Sequence, residues 1–488
     1  MNTIDLHGLT QAGGSSPADS EGMHQAFDEF IAENPAYIKT GILDELRATE
    51  FARLDKLGQV YVDYTGGGLY ADCQLAQHLA MLKDHVYGNP HSHNPSSLAS
   101  TEMDEHARRY VLEYFNASPD EYVAIFTPNA SGALKLVGEA YPFCPDSRYM
   151  LTFDNHNAVN GIREFARSKG ATVTYIPVVA PDLRIDGEPL MHQLEKPNRA
   201  GNNLFVYPAQ SNFSGVQHSL DWIERAQSKG WDVVLDAAAF VPTNRLDLSK
   251  YHPDFVPLSF YKMFGYPTGV GCLIARKGAL KKLRRPWFSG GTIEVVSVQA
   301  DKYYFAEGDR AFEDGTINYL NLPAVEIGLQ FLAGVGIDTI HDRVVLLTGW
   351  FLNKILSLRH SNGTPLVEVY GPRDTTARAG TVALNFHDPD GNVFNFHTVE
   401  EQAANLNISL RTGCFCNPGA GEIAFGLTQN DMRECFSNEE RNSFEQCIVA
   451  VKGKTAGAVR ISFGLATNFA DVYRVLQFVK SFLDISAR

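Results

Sequence analysis

The sequence predicts an α/β protein with a large domain around a mostly parallel sheet and a smaller α+β domain at the C-terminal end. Between about residues 60 and 320, short β-rich runs alternate with helical patterns, which is typical of parallel βαβ units. After residue 320, long helices are followed by strands with an antiparallel pattern. The chain has 488 residues, 44% of them hydrophobic, so a sizeable core is affordable.

Three segments follow from this pattern. We expect residues 1–59 to form an arm and a helix that pack with the small domain, residues 60–320 to form the large domain, and residues 321–488 the small one. The large-domain strand candidates are "EYVAIFT", "RYMLTF", "TVTYIPV", "NLFVYP", "WDVVLD", "DFVPLSF" and "GVGCLIA". The small-domain candidates are the strands "LVEVYG", "GTVALNFH" and "AVRISFG" and the helix "FADVYRVLQFVKSFLD".

Charge and composition limit the classes of binding partner that we expect. The formal net charge is -14, with 56 acidic against 42 basic residues, which disfavours a nucleic-acid partner. No stretch approaches the roughly 18 apolar residues of a membrane span. The N-terminus lacks the pattern of a signal peptide, and the seven cysteines are scattered. We therefore expect a cytoplasmic protein that binds neither nucleic acid nor membrane.

Three features of the large domain are candidates for binding a ligand or for catalysis. In "FTPNASGALKLV" a strand ends and a helix begins near Ser131, a junction that suits a phosphate but resembles many βα loops. Asp236 ends the strand of "VVLDAAAFVPT", where open sheets bind ligands, although such an Asp is often a helix cap. Lys262, in "PLSFYKMFGYPTGVG", follows another strand; such a lysine is usually solvated, and becomes a nucleophile if desolvated.

Together these features indicate pyridoxal 5'-phosphate. That cofactor needs a phosphate cradle, a lysine for covalent attachment and a carboxylate against its pyridine nitrogen. The three occur in this order along successive strands, with Asp236 and Lys262 26 residues apart. The order makes coincidence a poor explanation.

The chain resembles the class V aminotransferase and cysteine desulfurase family, and within it the N-terminal desulfurase domain of molybdenum cofactor sulfurases. The resemblance runs from about residue 60 to the end. It implies the type I fold of pyridoxal phosphate-dependent transferases, and a homodimer. The stretches that carry it are "YPAQSNFSG", "LDAAAFVPTNRLDLSKYHPDFVPLSFYKMFGYPTGVG", "FEDGTINYL", "LRTGCFCNPGA" and "VRISFG".

The resemblance assigns cofactor roles to individual residues. Lys262 would attach the cofactor, Asp236 would pair with the pyridine nitrogen, and His156 would stack on the ring. Asn212 would contact the ring hydroxyl. The remaining cofactor-binding positions are Ala130, Ser131 and Ser259 at the phosphate, Tyr261 beside the lysine, and Thr316, which would reach the phosphate of the neighbouring subunit. No metal is expected.

The resemblance also assigns the substrate and the nucleophile. Arg460, with Arg411, would hold the substrate carboxylate. In bacterial relatives the nucleophilic cysteine follows Arg-Thr-Gly after two residues, which gives Cys416 here. We expect Cys414 and Cys416 to lie in an extended segment and face the same side. The following "NPGAG" predicts a mobile, turn-rich loop.

Two positions depart from the bacterial pattern. Those desulfurases carry His where this chain has Tyr261, and Gln where it has Ala239, whereas the molybdenum cofactor sulfurases resemble this chain at both places. A phenol with a pKa near 10 is a poor base near neutral pH. The group that moves protons is therefore left open.

The leading hypothesis is a cysteine desulfurase that transfers the sulfur of L-cysteine to Cys416 and releases L-alanine. The sulfur acceptor is open: a molybdenum cofactor, a carrier protein or a small-molecule pathway. The alternative is a C–S or C–Se lyase, or another class V aminotransferase-type enzyme. A non-enzymatic metal site at Cys414 and Cys416 is disfavoured, because one intervening residue is tighter than the usual spacing.

Overall fold

A seven-stranded sheet forms the centre of the large domain. The computed structural model describes residues 17–90, 92–437 and 457–487, so the first 16 residues of the predicted arm lie outside the described part. The strands of the sheet are β2 (Tyr122–Thr127), β3 (Arg148–Thr152), β4 (Thr172–Ile176), β7 (Asn203–Pro208), β8 (Trp231–Asp236), β9 (Phe255–Ser259) and β10 (Gly271–Arg276). Their order is β2-β10-β9-β8-β7-β3-β4. All seven correspond to predicted strands.

The predicted parallel arrangement holds for the five strands β9, β8, β7, β3 and β4. Strand β10 runs antiparallel to both of its neighbours, β9 and β2. Only residues 260–270 separate β9 from β10. A parallel crossover needs about a dozen residues or more, so the chain turns back antiparallel.

Helices cover both faces of this sheet, which explains why β7, β8 and β9 are buried along their whole length. In the described residues the helices are α1 (Pro17–Glu33), α2 (Ile42–Thr49), α3 (Arg53–Lys56), α4 (Asp72–Asp84), α5 (Pro95–Tyr114), α6 (Ala130–Ala140), α7 (Asn157–Asn160), α8 (Ile162–Ser168), α9 (Gly187–Leu194), α10 (Trp222–Ser228), α11 (Phe260–Phe264), α12 (Lys277–Leu280), α13 (Leu322–Val335), α14 (Ile337–Ser357), α15 (Phe396–Asn405), α16 (Pro418–Ala424), α17 (Gln429–Ser437) and α18 (Phe469–Lys480). Two 3-10 helices span Pro35–Thr40 and Gly308–Phe312.

The C-terminal region has its own antiparallel sheet, as predicted. Its strands are β13 (Val367–Tyr370), β14 (Thr381–Phe386), β16 (Arg411–Gly413) and β17 (Ala458–Ser462), in the order β13-β14-β17-β16. The chain also forms the short pairs β1 (Val60–Tyr61) with β15 (Ile408–Ser409), β5 (Val178–Val179) with β6 (Arg184–Ile185), and β11 (Ile293–Ser297) with β12 (Lys302–Phe305). Strand β1 therefore joins the N-terminal segment to the small domain.

The N-terminal helices pack on the helices of the small domain. Phe30 of α1 contacts the rings of Trp350 and Phe469, on α14 and α18. Arg343 of α14 is buried and forms a two-pronged pair with Asp44, with both distances 2.6 Å. The same guanidinium donates to Thr40 Oγ1 at 2.8 Å.

No single helix in the described ranges is long and apolar enough to cross a membrane. The bent pair α13 and α14 meets the criteria of length and composition only when taken together.

Arg343→Leu tests the attachment of the N-terminal helices. The change leaves Asp44 without its partner, and we expect the free energy of unfolding to fall by roughly 3 kcal/mol. This is the lower end of the range for a broken buried pair, because Asp44 is partly solvated. The control Arg245→Leu removes the pair with Asp338, whose side chains are 54% and 70% exposed. It should cost no more than about 1 kcal/mol. Denaturant unfolding measures both, and equal losses would contradict the assigned role.

Candidate active site

A cavity of about 200 Å³ lies where β8 and β9 end and α6 begins. This is the edge of the sheet at which α/β proteins bind ligands. Eight of the predicted site residues line it: Ala130, Ser131, His156, Asn212, Asp236, Ser259, Tyr261 and Lys262. The structure thus brings together side chains that lie up to 132 positions apart in the sequence.

One end of the cavity is the N-terminus of α6. The side chain of Asn129 caps this helix by accepting a hydrogen bond from Gly132 N at 3.0 Å, and Ala130 N donates to Ser259 Oγ at 2.9 Å. Gly271 permits the close approach of this loop to β10, because a Cβ there would lie 2.5 Å from Asn129 Cα. The helix dipole and the serine hydroxyls suit an anion such as a phosphate.

Lys262 lies in α11, directly after β9; the residue is half-buried, and its amine is desolvated. Burial lowers the pKa of its amine, while the carboxylate of Asp236 opposes that shift. The glycine turn before α4 covers this segment: Gly68 N donates to Tyr261 O at 2.9 Å, and a Cβ on Gly68 would lie 2.9 Å from Lys262 O. Gly68, the last glycine of "YTGGG", therefore permits the close packing of this turn on the backbone of the lysine.

His156 and Asp236 face the same cavity. His156 caps α7, and its Nδ1 accepts from Ala158 N at 3.1 Å, so this nitrogen carries no proton. Burial, together with the charge of Lys262, lowers the pKa of the ring. A neutral imidazole is the form that these effects favour. Asp236 Oδ1 accepts from Ala238 N at 3.1 Å, which fixes the carboxylate at the end of β8.

Tyr261 is a poor candidate for moving protons. Burial raises the pKa of its phenol, so the hydroxyl keeps its proton near neutral pH. Ala239, the second departure from the bacterial pattern, also lines the cavity. Lys262 and His156 both line the cavity and both have a lowered pKa, so either is a better candidate than Tyr261 for accepting a proton.

The two thiols lie on a tight turn, so the prediction of an extended segment is wrong. Asn417 N donates to Cys414 O at 3.0 Å, and Phe415 and Cys416 both have φ of 55°. The prediction of a loop at "NPGAG" is also wrong, because Asn417 caps α16 and the helix begins at Pro418. Proline at the first helical position and an asparagine cap favour a helix start there.

The turn buries Phe415 and exposes Cys416, while Cys414 is half-buried. The Phe415 ring packs 5.3 Å from Phe213 and 4.7 Å from the Arg460 guanidinium. Asn157, which follows the cavity residue His156, donates its backbone N–H to Cys416 O at 2.7 Å, and the cavity residue Asn212 donates to Phe415 O at 2.7 Å. The thiol is therefore solvent-accessible and close to the cavity.

Arg460 and Arg411 lie opposite each other on β17 and β16. Both bind Asp63: Arg460 Nη2 at 2.9 Å and Arg411 Nη2 at 2.6 Å. Arg460 also donates to Asn212 O at 2.9 Å, and its buried Nε has no hydrogen-bond partner among the described residues. Arg460 thus keeps one N–H donor that no described residue uses.

Asp63 is a site residue that sequence reasoning missed. The signal was the acid in "YVDYTGGG", between a short strand and a glycine turn. Gly66 belongs with it, because a Cβ on Gly66 would lie 2.5 Å from Asp63 Oδ2. Asp63 neutralises part of the charge of two arginines at once, which orients both.

Thr316 lies apart from the residues that line this cavity. It lines a second cavity, of about 370 Å³, together with Thr127 and Asp314. Asn89 Nδ2 donates to its hydroxyl at 3.3 Å. Its predicted contact with a neighbouring subunit stays a prediction.

Within residues 17–90, 92–437 and 457–487, no group of three or more His, Cys, Asp or Glu side chains is placed to hold a metal ion.

Comparison with known proteins assigns the family. The family model "Aminotransferase class-V" matches residues 60–475, and the chain belongs to this family of enzymes. It is 38% identical over 478 residues to a molybdenum cofactor sulfurase from Solanum lycopersicum, covering 91% of this chain and 58% of the relative. The chain therefore spans less than two thirds of that relative's length.

Solved structures confirm the predicted fold class. The chain superposes on a cysteine desulfurase from Thermococcus onnurineus NA1 with a TM-score of 0.72 and 22% identity, over 90% of this chain and 98% of that one. A cystine C–S lyase solved with its product cysteine persulfide has the same fold, with a TM-score of 0.66 and 17% identity over 87% and 98%. Desulfurases and lyases thus share this fold. The fold alone therefore does not distinguish between the two activities, and the residues of the site have to be compared.

Proposed function

We propose that this chain is a pyridoxal phosphate-dependent cysteine desulfurase that transfers the sulfur of L-cysteine to Cys416 and releases L-alanine. The sulfur held on Cys416 would then be passed to a downstream acceptor. The observation that carries the proposal is the placement of an exposed thiol beside a cavity lined by a half-buried lysine with a desolvated amine. A lyase has no need of that thiol. The similarity to molybdenum cofactor sulfurases supports the same reading.

The cavity residues fit the proposed cofactor. The N-terminus of α6 and Ser259 would hold its phosphate, Asp236 would hold the pyridine nitrogen, and Lys262 would attach it. Gly271 leaves room for the phosphate loop, since a side chain there would collide with Asn129. When bound, this cofactor withdraws electrons from the α-carbon of an amino acid.

Lys262 and Arg460 would handle the substrate. Burial lowers the pKa of Lys262, which increases the share of neutral amine that is able to take a proton from the substrate α-carbon. Arg460 Nε, free in its buried position, would bind the substrate carboxylate. His156, in its neutral form, would present a flat ring without repelling a cationic neighbour.

Cys416 would accept the sulfur as its thiolate, which is the nucleophilic form. A bond forms between Cys416 Sγ and the substrate sulfur, and the Cβ–S bond of the substrate breaks. The electron pair of that bond stays on the substrate carbon, which takes up protons to become alanine. L-cysteine and a thiol thus give L-alanine and a persulfide, and no external oxidant or reductant is needed.

Assembly into a homodimer belongs to the proposal. Thr316 does not line the cavity of its own chain, and the resemblance to the family implies a contact with the phosphate of a second subunit. The proposed active unit is two chains, each completing the phosphate site of the other.

The first test concerns the lysine. The purified protein should be yellow, and borohydride should fix the cofactor irreversibly to Lys262. Lys262→Ala should lose the bound colour, whereas Lys135→Ala, at a solvent-exposed lysine, should keep it. Peptide mapping that finds the reduced cofactor on another lysine would remove the basis of the proposal.

The second test separates the desulfurase from the lyase. With L-cysteine, the wild-type protein should form alanine, and Cys416→Ser should form none while it keeps the cofactor colour. Cys414→Ser is the matched control and should retain most alanine formation. Pyruvate and ammonia as the main products, unaffected by Cys416→Ser, would show that the enzyme is a lyase.

The third test concerns the carboxylate. Arg460→Ala should weaken L-cysteine binding by roughly 1.5–3 kcal/mol, because a charge-assisted contact is lost. Arg460→Lys should restore only part of it, since a lysine lacks the planar fork. Titration of cysteine against the cofactor absorbance measures both. Unchanged affinity in the two variants would mean that another residue holds the carboxylate.

The fourth test concerns assembly. Sedimentation velocity of the active protein should show a dimer, and Thr316→Ala should retain the cofactor less tightly. Asn318→Ala, in the same wall, is the control. A fully active monomer with unchanged cofactor retention in Thr316→Ala would contradict the shared site.

A further inference from the structure

We propose that Asn417 is a positioning residue that holds the Cys416 turn against the cavity, and that it acts through Asn212. This inference rests on the proposed role of Cys416. The sequence singled out Asn212 for the cofactor and left Asn417 without a role.

The Asn417 side chain joins three segments of the chain. It is fully buried. Its Nδ2 donates to Asp154 O at 2.7 Å and to Asn212 Oδ1 at 2.9 Å. Its Oδ1 accepts from Ala420 N at 3.2 Å and so caps α16. One amide therefore uses both of its donor hydrogens to tie the turn to the cavity wall.

Asn212 also forms a hydrogen bond with the turn. Its Nδ2 donates to Phe415 O at 2.7 Å, while its Oδ1 receives the hydrogen bond from Asn417. The two amides and the Phe415–Asn417 backbone thus form a closed ring of interactions. Asn212 also lines the cavity and retains a second hydrogen on Nδ2. It can contact a cavity ligand while it holds the turn.

A third contact reinforces the attachment. Asn157 N donates to Cys416 O at 2.7 Å, and Asn157 directly follows His156. The residue that carries the thiol is thus hydrogen-bonded through its own backbone to the segment that presents the cavity histidine. The turn contacts two walls of the cavity, one at Asn212 and one at Asn157.

The turn needs such support because its conformation is unfavourable. Phe415 and Cys416 both have φ of 55°, in the left-handed region. For residues other than glycine this costs roughly 1–2 kcal/mol each. Without the contacts from Asn212 and Asn417, the backbone would relax to other conformations. Cys416 is exposed and Cys414 half-buried, and we expect that difference in access to solvent to shrink when the turn relaxes.

Asn417→Asp tests this in the full-length holoenzyme. Aspartate keeps the helix cap but loses both donors and places a charge against Asn212 Oδ1. The control is Asn395→Asp, at another asparagine cap, whose side chain accepts from His397 N. The primary readout is the ratio of iodoacetamide alkylation at Cys416 to that at Cys414, measured by peptide mass spectrometry on the native protein. The second readout is the change in kcat and, separately, the change in KM for alanine formation.

We expect the alkylation ratio to be well above one in the wild type and in Asn395→Asp, and to fall at least about threefold in Asn417→Asp. Alanine formation should fall through kcat by about tenfold or more, since a small misplacement of a reacting group is costly. The KM for cysteine should change little, because Arg460 is left in place. An Asn417→Asp ratio and kcat equal to those of the control would overturn the inference.

A double-mutant cycle of Asn212→Ala and Asn417→Ala distinguishes positioning from helix capping. If Asn417 acts through Asn212, the second substitution should change the alkylation ratio far less in the background of the first. Additive effects would overturn the inference. The ratio does not depend on turnover, so a shifted ratio in a protein that makes no alanine would retain the positioning role and reject the proposed function alone.

Discussion

The burial of the Lys262 amine is the constraint around which the site is organised. Desolvation lowers its pKa, and the carboxylate of Asp236 limits that shift. Strands β8 and β9 are neighbours in the sheet, so the residues that end them face one cavity. The antiparallel return of β10 then brings Gly271 beside Asn129, which seats the N-terminus of α6 at the same edge. Neighbouring strands of the sheet thus supply the surroundings of Lys262.

A second set of contacts joins the small domain to this cavity. Asp63 lies just after β1 and binds arginines from β16 and β17, while Phe415 packs on one of those arginines. The arginines proposed to bind the substrate and the turn that carries Cys416 therefore share one support. A substrate bound at Arg460 would therefore act on Phe415, the neighbour of Cys416, through the direct contact between the guanidinium and the Phe415 ring.

The sheet strands could be predicted because each is a local signal, whereas the lysine, the aspartate and the phosphate loop were indicated by their order along successive strands and by the family resemblance. An apolar strand followed by one polar residue is visible in a short window, as at Asp236. The direction of β10 was not visible in the alternation of strands and helices, although the short connection of residues 260–270 explains it. Asp63 was missed because its partner Arg460 is 397 positions away.

The conformation of the thiol turn could not be predicted for a different reason. Positive φ values are expected at glycine or asparagine, and here they fall on Phe415 and Cys416. Tertiary contacts impose them: the amides of Asn212 and Asn417 and the burial of the Phe415 ring. The spacing of the two cysteines reflects this arrangement, in which the residue between them is the anchor and the second thiol is exposed.

Mass spectrometry of the peptide that contains Cys414 and Cys416, after a single turnover with L-cysteine, tests the central claim most directly. The account predicts one additional sulfur atom on Cys416 and one equivalent of alanine per active site. In a Cys416→Ser protein, both should be absent. An additional sulfur on Cys414 in that variant, with alanine still formed, would show that the nucleophile is the other thiol and would contradict the proposed role of Cys416.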